Sequence, residues 1–322
     1  MASARSKRGW VCLACLGVLG AGCSSVRHIE RRGREVDYCV PAEPVRFDPS
    51  RSAVLWAPFE VSDALQRRFT RQDLLLAHAA GVLGALESLE RWEAGPGALE
   101  RRDALLGEVE LRLLLFSTTL SSVAAELDCE VGRTGQVASL LDGLETRRQT
   151  LLTISSIVVG ALATTVTAIS SDDTANDIID ITGGAASAGL GLAALFSSPS
   201  LRFDHPRNLL ADVWRRPELS GDFPPALWFV LTNKDFSNEQ RHSIAHNVRA
   251  RWVAYGYVEE PDGGGPYFGA GGKYTRDALR TRTNMLEELQ AAVRLIHQNL
   301  QALLAKVVAT WGRPADSRGD GP

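Results

Sequence analysis

No proline interrupts the chain between Pro96 and Pro199. Within that stretch Leu106, Val109, Leu113, Phe116, Leu120, Val123 and Leu127 alternate at intervals of three and four residues. That alternation is the a/d seam of a heptad pattern, which places every one of these side chains on a single helical stripe. Glu130 and Thr134 interrupt the seam, and Val137, Leu141 and Leu144 resume it in register. Proline is the residue that stops helices. Without one, residues 98–170 can run as a single helix of about 110 Å at 1.5 Å per residue. The condition is that Gly132 and Gly135, each about 1 kcal/mol worse than alanine in a helix, do not break it. Asp128, Glu130 and Arg133 either form a buried polar layer that fixes register or belong to a solvated turn.

The C-terminal region carries a second seam. Leu286, Leu289, Val293, Ile296, Leu300, Leu303 and Val307 hold the same spacing. Two such seams can pack on each other within one bundle, or one can stay open for a partner. Upstream, Leu75, Ala79, Val82, Leu86 and Leu89 share a helix face, and Ala94-Gly95-Pro96-Gly97 ends that helix. Residues 199–236 alternate prolines with aromatic residues, and predict a compact connector of short helices. A helix is predicted from Ser237 to Tyr257, then a glycine-rich loop over Pro261–Lys273, then the final helix. The fold class expected is all-α: an elongated helical bundle or coiled-coil hairpin with a central apolar helical hairpin. Its predicted segments are an irregular tether over 23–57, long helices over 58–198, the 199–236 connector, a C-terminal helical pair over 237–312, and a disordered tail over 313–322.

The apolar hairpin is the unusual part. Residues 151–170 carry no charge, and residues 178–197 carry only Asp180. Each segment has the twenty-residue length that crosses a hydrocarbon core, and the short polar link between them makes them antiparallel neighbours. Small residues recur every four places: Ser156, Gly160, Thr164 and Ala168 in the first, Gly183, Ser187 and Gly191 in the second, with Ala185, Gly189 and Ala193 beside them. Such stripes let helix backbones approach closely, as in glycine-zipper hairpins, which these segments resemble. Gly160, Gly183, Gly184, Gly189 and Gly191 are the residues expected to matter if the hairpin enters a membrane. Three readings stand side by side: a constitutive two-span anchor, a hairpin buried in a soluble bundle, and a hairpin that inserts when triggered. The first inverts the positive-inside preference, since Asp172, Asp173 and Asp177 would lie inside and Arg147, Arg148 and Arg202 outside. The second fits segment 151–170, where seven serines and threonines dilute nine strongly apolar residues. The third resembles the layout of α-helical pore-forming toxins, a likeness of architecture with no shared motif.

The N-terminus has the layout of an address. Arg5, Lys7 and Arg8 precede the uncharged run 9–22, which ends Leu19-Gly20-Ala21-Gly22-Cys23. A basic start, an apolar run shorter than a membrane span and small residues before a cysteine form a secretory pattern. They resemble the lipobox signal of bacterial lipoproteins over residues 1–23. The family favours leucine three places before the cysteine, where this chain has Gly20. The resemblance implies that Cys23 becomes the acylated, palmitate-bearing N-terminus. With Ser24 and Ser25 following, it also implies an outer-membrane address in the bacterial cell envelope.

Loss of residues 1–22 removes three basic residues and no acid, so the net charge falls from −3 to −6. That balance argues against nucleic acid as a partner. Cys39 and Cys129 are the cysteines left over, and an oxidising compartment allows them to pair. No catalytic constellation can be named. His242 and His246 stand one helical turn apart, but Ser243 occupies the place where the metalloprotease pattern has glutamate, and no third ligand is evident. Gly269–Tyr274 fails the phosphate-loop spacing and reads as a flexible loop. Trp214-Arg215-Arg216-Pro217 and His205-Pro206-Arg207-Asn208 combine basic, aromatic and proline residues, either to meet anionic lipid headgroups or peptidoglycan or simply as packing with solvated arginines. The sequence therefore predicts a non-enzymatic, lipid-anchored envelope scaffold or interaction protein without metal or cofactor. Its expected partners are the membrane through Cys23 and a second copy or an envelope protein. The alternative is a membrane-active protein that inserts 151–197.

Overall fold

The computed structural model describes residue 39 and residues 55–93, 95–169, 173–195, 198–259 and 265–312. The chain is mostly helical. Its helices are α1 (Asp63–Arg68), α2 (Arg71–Ala79), α3 (Leu83–Glu90), α4 (Ala98–Ile169), α5 (Asp173–Leu195), α6 (Leu209–Arg215), α7 (Pro225–Thr232), α8 (Ile244–Ala254) and α9 (Arg276–Trp311). Strands β1 (Ser200–Asp204) and β2 (Gly271–Thr275) form an antiparallel pair, with Ser200 opposite Thr275 and Asp204 opposite Gly271. The helical expectation holds for most of the chain, and this pair departs from it where the segment read as a flexible loop supplies β2. The signal was masked by glycine. Gly271 holds φ +115°, and a Cβ there would fall 2.3 Å from the Phe203 carbonyl oxygen, so only glycine lets the strands close.

The residues cluster into two compact units, each assembled from separate stretches of chain. One comprises, among the described residues, residue 39 and residues 55–93, 95–131, 205–259, 265–270 and 283–312. Here the predicted seams are realised. Val109, Leu113, Phe116, Leu120, Val123 and Leu127 of α4 share one buried cluster with Leu286, Leu289, Val293, Ile296, Leu300, Leu303 and Val307 of α9. The two helices run in opposite directions, because the Gln290 amide donates to Ala124 O and the Asp128 carboxylate while His297 Nε2 lies against Ser117 O. At the far end the Arg102 guanidinium donates to Trp311 O. Heptad spacing keeps each apolar stripe facing its partner along the whole contact.

The upstream helical region, whose shared face runs from Leu75 to Leu89, is three helices. Gly81, at φ +74°, turns the chain between α2 and α3, and Phe69-Thr70 separates α1 from α2. Thr70 caps α2 reciprocally with Asp73: its hydroxyl accepts from Asp73 N, and the Asp73 carboxylate accepts from Thr70 N. Asp73 also accepts from Lys306 of α9. Burial alone would raise the Asp73 carboxyl, but the Lys306 and Thr70 hydrogen bonds outweigh it and hold it below its ordinary value. Ser62 and Thr70 cap the starts of α1 and α2. The predicted helix from Ser237 begins later, at Ile244, where the Ser243 hydroxyl accepts from His246 N. The connector holds short α6 and α7 as expected, together with β1. Cys39 and Cys129 are joined as a disulfide with their Cα atoms 5.4 Å apart. Cys23, the rest of the tether up to residue 54 and the tail 313–322 lie outside the described residues.

The other unit comprises, among the described residues, Gly132–Ile169, Asp173–Leu195, Ser198–Asp204 and Gly271–Arg282. α4 does not break at Gly132 or Gly135. Its buried residues include Ala138 and Leu141, with Leu201, Phe203, Tyr274 and Leu279. Arg133 is buried, lies 4.2 Å over the Phe203 ring and donates to Asp204 O at 3.1 Å. Arg276 opens α9 with ion pairs to Asp142 and Glu145. Glu130, Arg133 and Thr134, the residues that break the apolar seam, are all buried, whereas Asp128 is exposed. The interruption is thus a polar stretch at core positions and not a turn.

Two consequences are measurable. The disulfide spans 90 residues, and closing a loop of that size restricts the unfolded chain by about 4 kcal/mol. A Cys39→Ser, Cys129→Ser double variant therefore unfolds at a clearly lower urea midpoint than the oxidised protein, and the gap vanishes when both are measured under reductant. Asp73 has a depressed pKa, so its pair with Lys306 contributes stability above its unfolded value near 4 and loses it as pH falls through the folded value. The stability difference between the native protein and Lys306→Met is therefore full at pH 7 and closes progressively below about pH 4.

Candidate functional site

The C-terminal part of α4 and helix α5 carry the residues that the sequence singles out. Their facing sides are closed by small groups. The Ser187 hydroxyl donates to Ser156 O at 3.0 Å. A Cβ on Gly160 would stand 3.6 Å from that hydroxyl oxygen, an ordinary contact. A Cβ on Gly183 would stand 2.5 Å from Ala163 Cβ, closer than atoms can sit. The α4 contact stripe is therefore Ser156, Gly160 and Ala163, not the strict four-residue series through Thr164. The cause is geometric: a step of four residues overshoots one turn of 3.6, so the third member drifts off the face. Thr164 is exposed and its hydroxyl donates back to Gly160 O. Gly184, Gly189 and Gly191 have open space where a Cβ would be.

The outer sides of the same helices are apolar and open. Leu151, Ile154, Val158 and Leu162 lie on the side of α4 away from its contact stripe and are exposed, as are Ile157 (65 % exposed), Ile181 (72 %) and Leu192. Nothing among the described residues covers these side chains, which departs from the reading of a hairpin buried in a soluble bundle. Among the described residues, no helix is long and apolar enough to cross a membrane. The serines and threonines of 151–165 satisfy their hydroxyls on their own helix, as Ser156 does on Thr153 O and Thr165 on Ala161 O.

The remaining polar candidates are occupied by packing. Arg207 pairs with Glu126 at 3.1 Å and donates to Asp222 O. Asn208 Nδ2 donates to Tyr267 O and Gly269 O, anchoring the glycine-rich segment. Trp214 stacks on Phe268 at 4.6 Å, with the Arg249 guanidinium 4.3 Å over its ring. His242 and His246 stack at 4.1 Å, and Arg216 Nη1 lies 2.8 Å from His246 Nδ1. Burial, then His242, Arg216 and Arg249, push His246 below its ordinary value. Among the described residues, no group of three or more histidine, cysteine, aspartate or glutamate side chains is placed to hold a metal ion.

The helix contact makes a paired prediction. Gly183→Ala forces a methyl against Ala163 and lowers the stability of the helix pair by about 1–3 kcal/mol, whereas Gly189→Ala meets open space and leaves it unchanged or raises it by up to about 1 kcal/mol through helix propensity. Hydrogen-exchange protection of α5 amides separates the two. Set against known proteins, the chain matches no protein-family model, no curated protein and no solved structure.

Proposed function

We propose that this protein is a non-enzymatic, lipid-anchored scaffold or interaction protein of the bacterial cell envelope. In this reading Cys23 carries the acyl chains, and the helical hairpin formed by 151–169 and 173–195 is its contact element for a second copy or an envelope protein. The observation that carries the reading is the exposed row Leu151, Ile154, Val158 and Leu162 on a helix whose opposite side is already closed by α5. Single exposed apolar residues are normal, but a contiguous row of them marks a contact surface. The acidic link with Asp172, Asp173 and Asp177 is costly to carry into hydrocarbon, which favours a protein partner over a lipid interior.

Direct engagement of a bilayer by the hairpin is the second reading, supported by the same exposed row together with Ile181 and Leu192. Differential extraction of the native protein and a Cys23→Ala variant separates the two. The scaffold reading expects the native protein in the membrane fraction and the variant in the aqueous fraction, without leakage of dye from liposomes between pH 5 and 7.5. A variant that still requires detergent, or one that releases dye, transfers the function to the hairpin's action on lipid.

A further inference from the structure

Two neighbouring cavities in the unit built on the α4–α9 seam share one side chain. The first, about 560 Å³, is walled by Phe59, Phe69, Leu74, Leu75 and Phe229. The second, about 570 Å³, is walled by Arg215, Arg216, Thr232 and Ser243, with Glu218 as the single carboxylate among its lining residues. Trp56 lines both. Its indole meets Phe229 edge-on at 4.9 Å and is 44 % exposed, a large apolar ring held open between the cavities. Each volume lies in the range of small-molecule sites.

The chemistry changes from one end to the other. The first cavity has aromatic and leucine walls, and its one cation, Arg71, is paired with Asp235 at 2.7 Å. The second is lined by two adjacent exposed arginines: Arg215 also donates to Phe268 O at 2.6 Å, and Arg216 is backed by the stacked His242 and His246. Guanidinium groups suit phosphate and carboxylate oxygens. An inorganic anion would leave the aromatic end unfilled, and a neutral apolar molecule would leave the arginines unmatched.

We propose that the two cavities form one groove for a single-chain anionic amphiphile. Its acyl chain lies along Trp56, Phe59, Phe69 and Phe229, and its phosphate or carboxylate head meets Arg215 and Arg216. The lysophospholipid and fatty-acid classes share this chemistry. The site is independent of the helical hairpin and of its partner.

The test is calorimetric titration of the full chain carrying Cys23→Ala, so that no detergent competes. The probes are dodecyl phosphate and dodecanoate below their micelle concentrations, dodecyl maltoside as the neutral tail, and inorganic phosphate as the head alone. One or both anionic amphiphiles should saturate at one per chain, and the maltoside and phosphate should each bind at least about tenfold more weakly, a difference of about 1.4 kcal/mol. Arg216→Asn keeps a residue tolerant of the left-handed backbone at this position (φ +51°). It should weaken the anionic amphiphile about tenfold and leave the maltoside unchanged, while Trp56→Ala weakens both. Unchanged urea midpoints show that the variants fold. Equal affinity for the anionic and neutral tails, binding without a one-to-one endpoint, or native affinity in both variants overturns the proposal.

Discussion

The antiparallel packing of Val109–Leu127 against Leu286–Val307 is the interaction on which the rest of its unit depends. Those stripes come from residues more than 150 positions apart, so the loop between them must close before the seam gains anything. Once formed, it gives α2 and α3 an apolar surface to settle on, and α6, α7 and α8 join the same cluster. Polar groups then fix the register of the two long helices. Gln290 bonds Ala124 O and Asp128, and Lys306 reaches Asp73 across to α2. A slip of one helical turn would strand the buried Gln290 amide and the buried Asp73 carboxylate, a cost that the apolar stripe alone does not impose.

α4 changes character along its length without changing its backbone. Up to Leu141 one stripe of its apolar residues is buried, while Leu111, Leu114, Leu115 and Leu140 stand exposed outside it. Beyond Leu151 apolar side chains occur all round it, one side closed by α5 through Ser156, Gly160 and Ala163, the other open. A helix that is apolar all round and, among the described residues, covered on one side presents a surface that those residues do not use.

The long helices were legible because their signal is periodic and local. Both seams, the uninterrupted run through Gly132 and Gly135, and the end of the upstream helical region before Gly97 follow from spacing and from the positions of proline and glycine. Three things were not legible for identifiable reasons. Gly81 splits a helix whose apolar pattern runs on across the break, so the pattern alone reads as continuous. β2 is short and glycine-rich, and its strand character exists only because Phe203 and Asp204 lie beside it. The Trp56 groove draws on residues 55–75, 215–218 and 229–243, and no local pattern joins stretches that only tertiary packing brings together. The small-residue stripe was half legible: the residue types were right, and the face was rotated because four residues overshoot one helical turn.

The Cys39–Cys129 bond makes a covalent ring of everything between those positions, including α1, α2, α3 and the start of α4. The turn between α3 and α4 lies inside that ring and is exposed at Gly95, Pro96 and Gly97. A protease that cut there would open the ring without releasing either piece. The nicked molecule would keep its mass on a non-reducing gel, and whatever the N-terminal segment is attached to would stay tethered to the helical core until the sulfur bond itself was reduced.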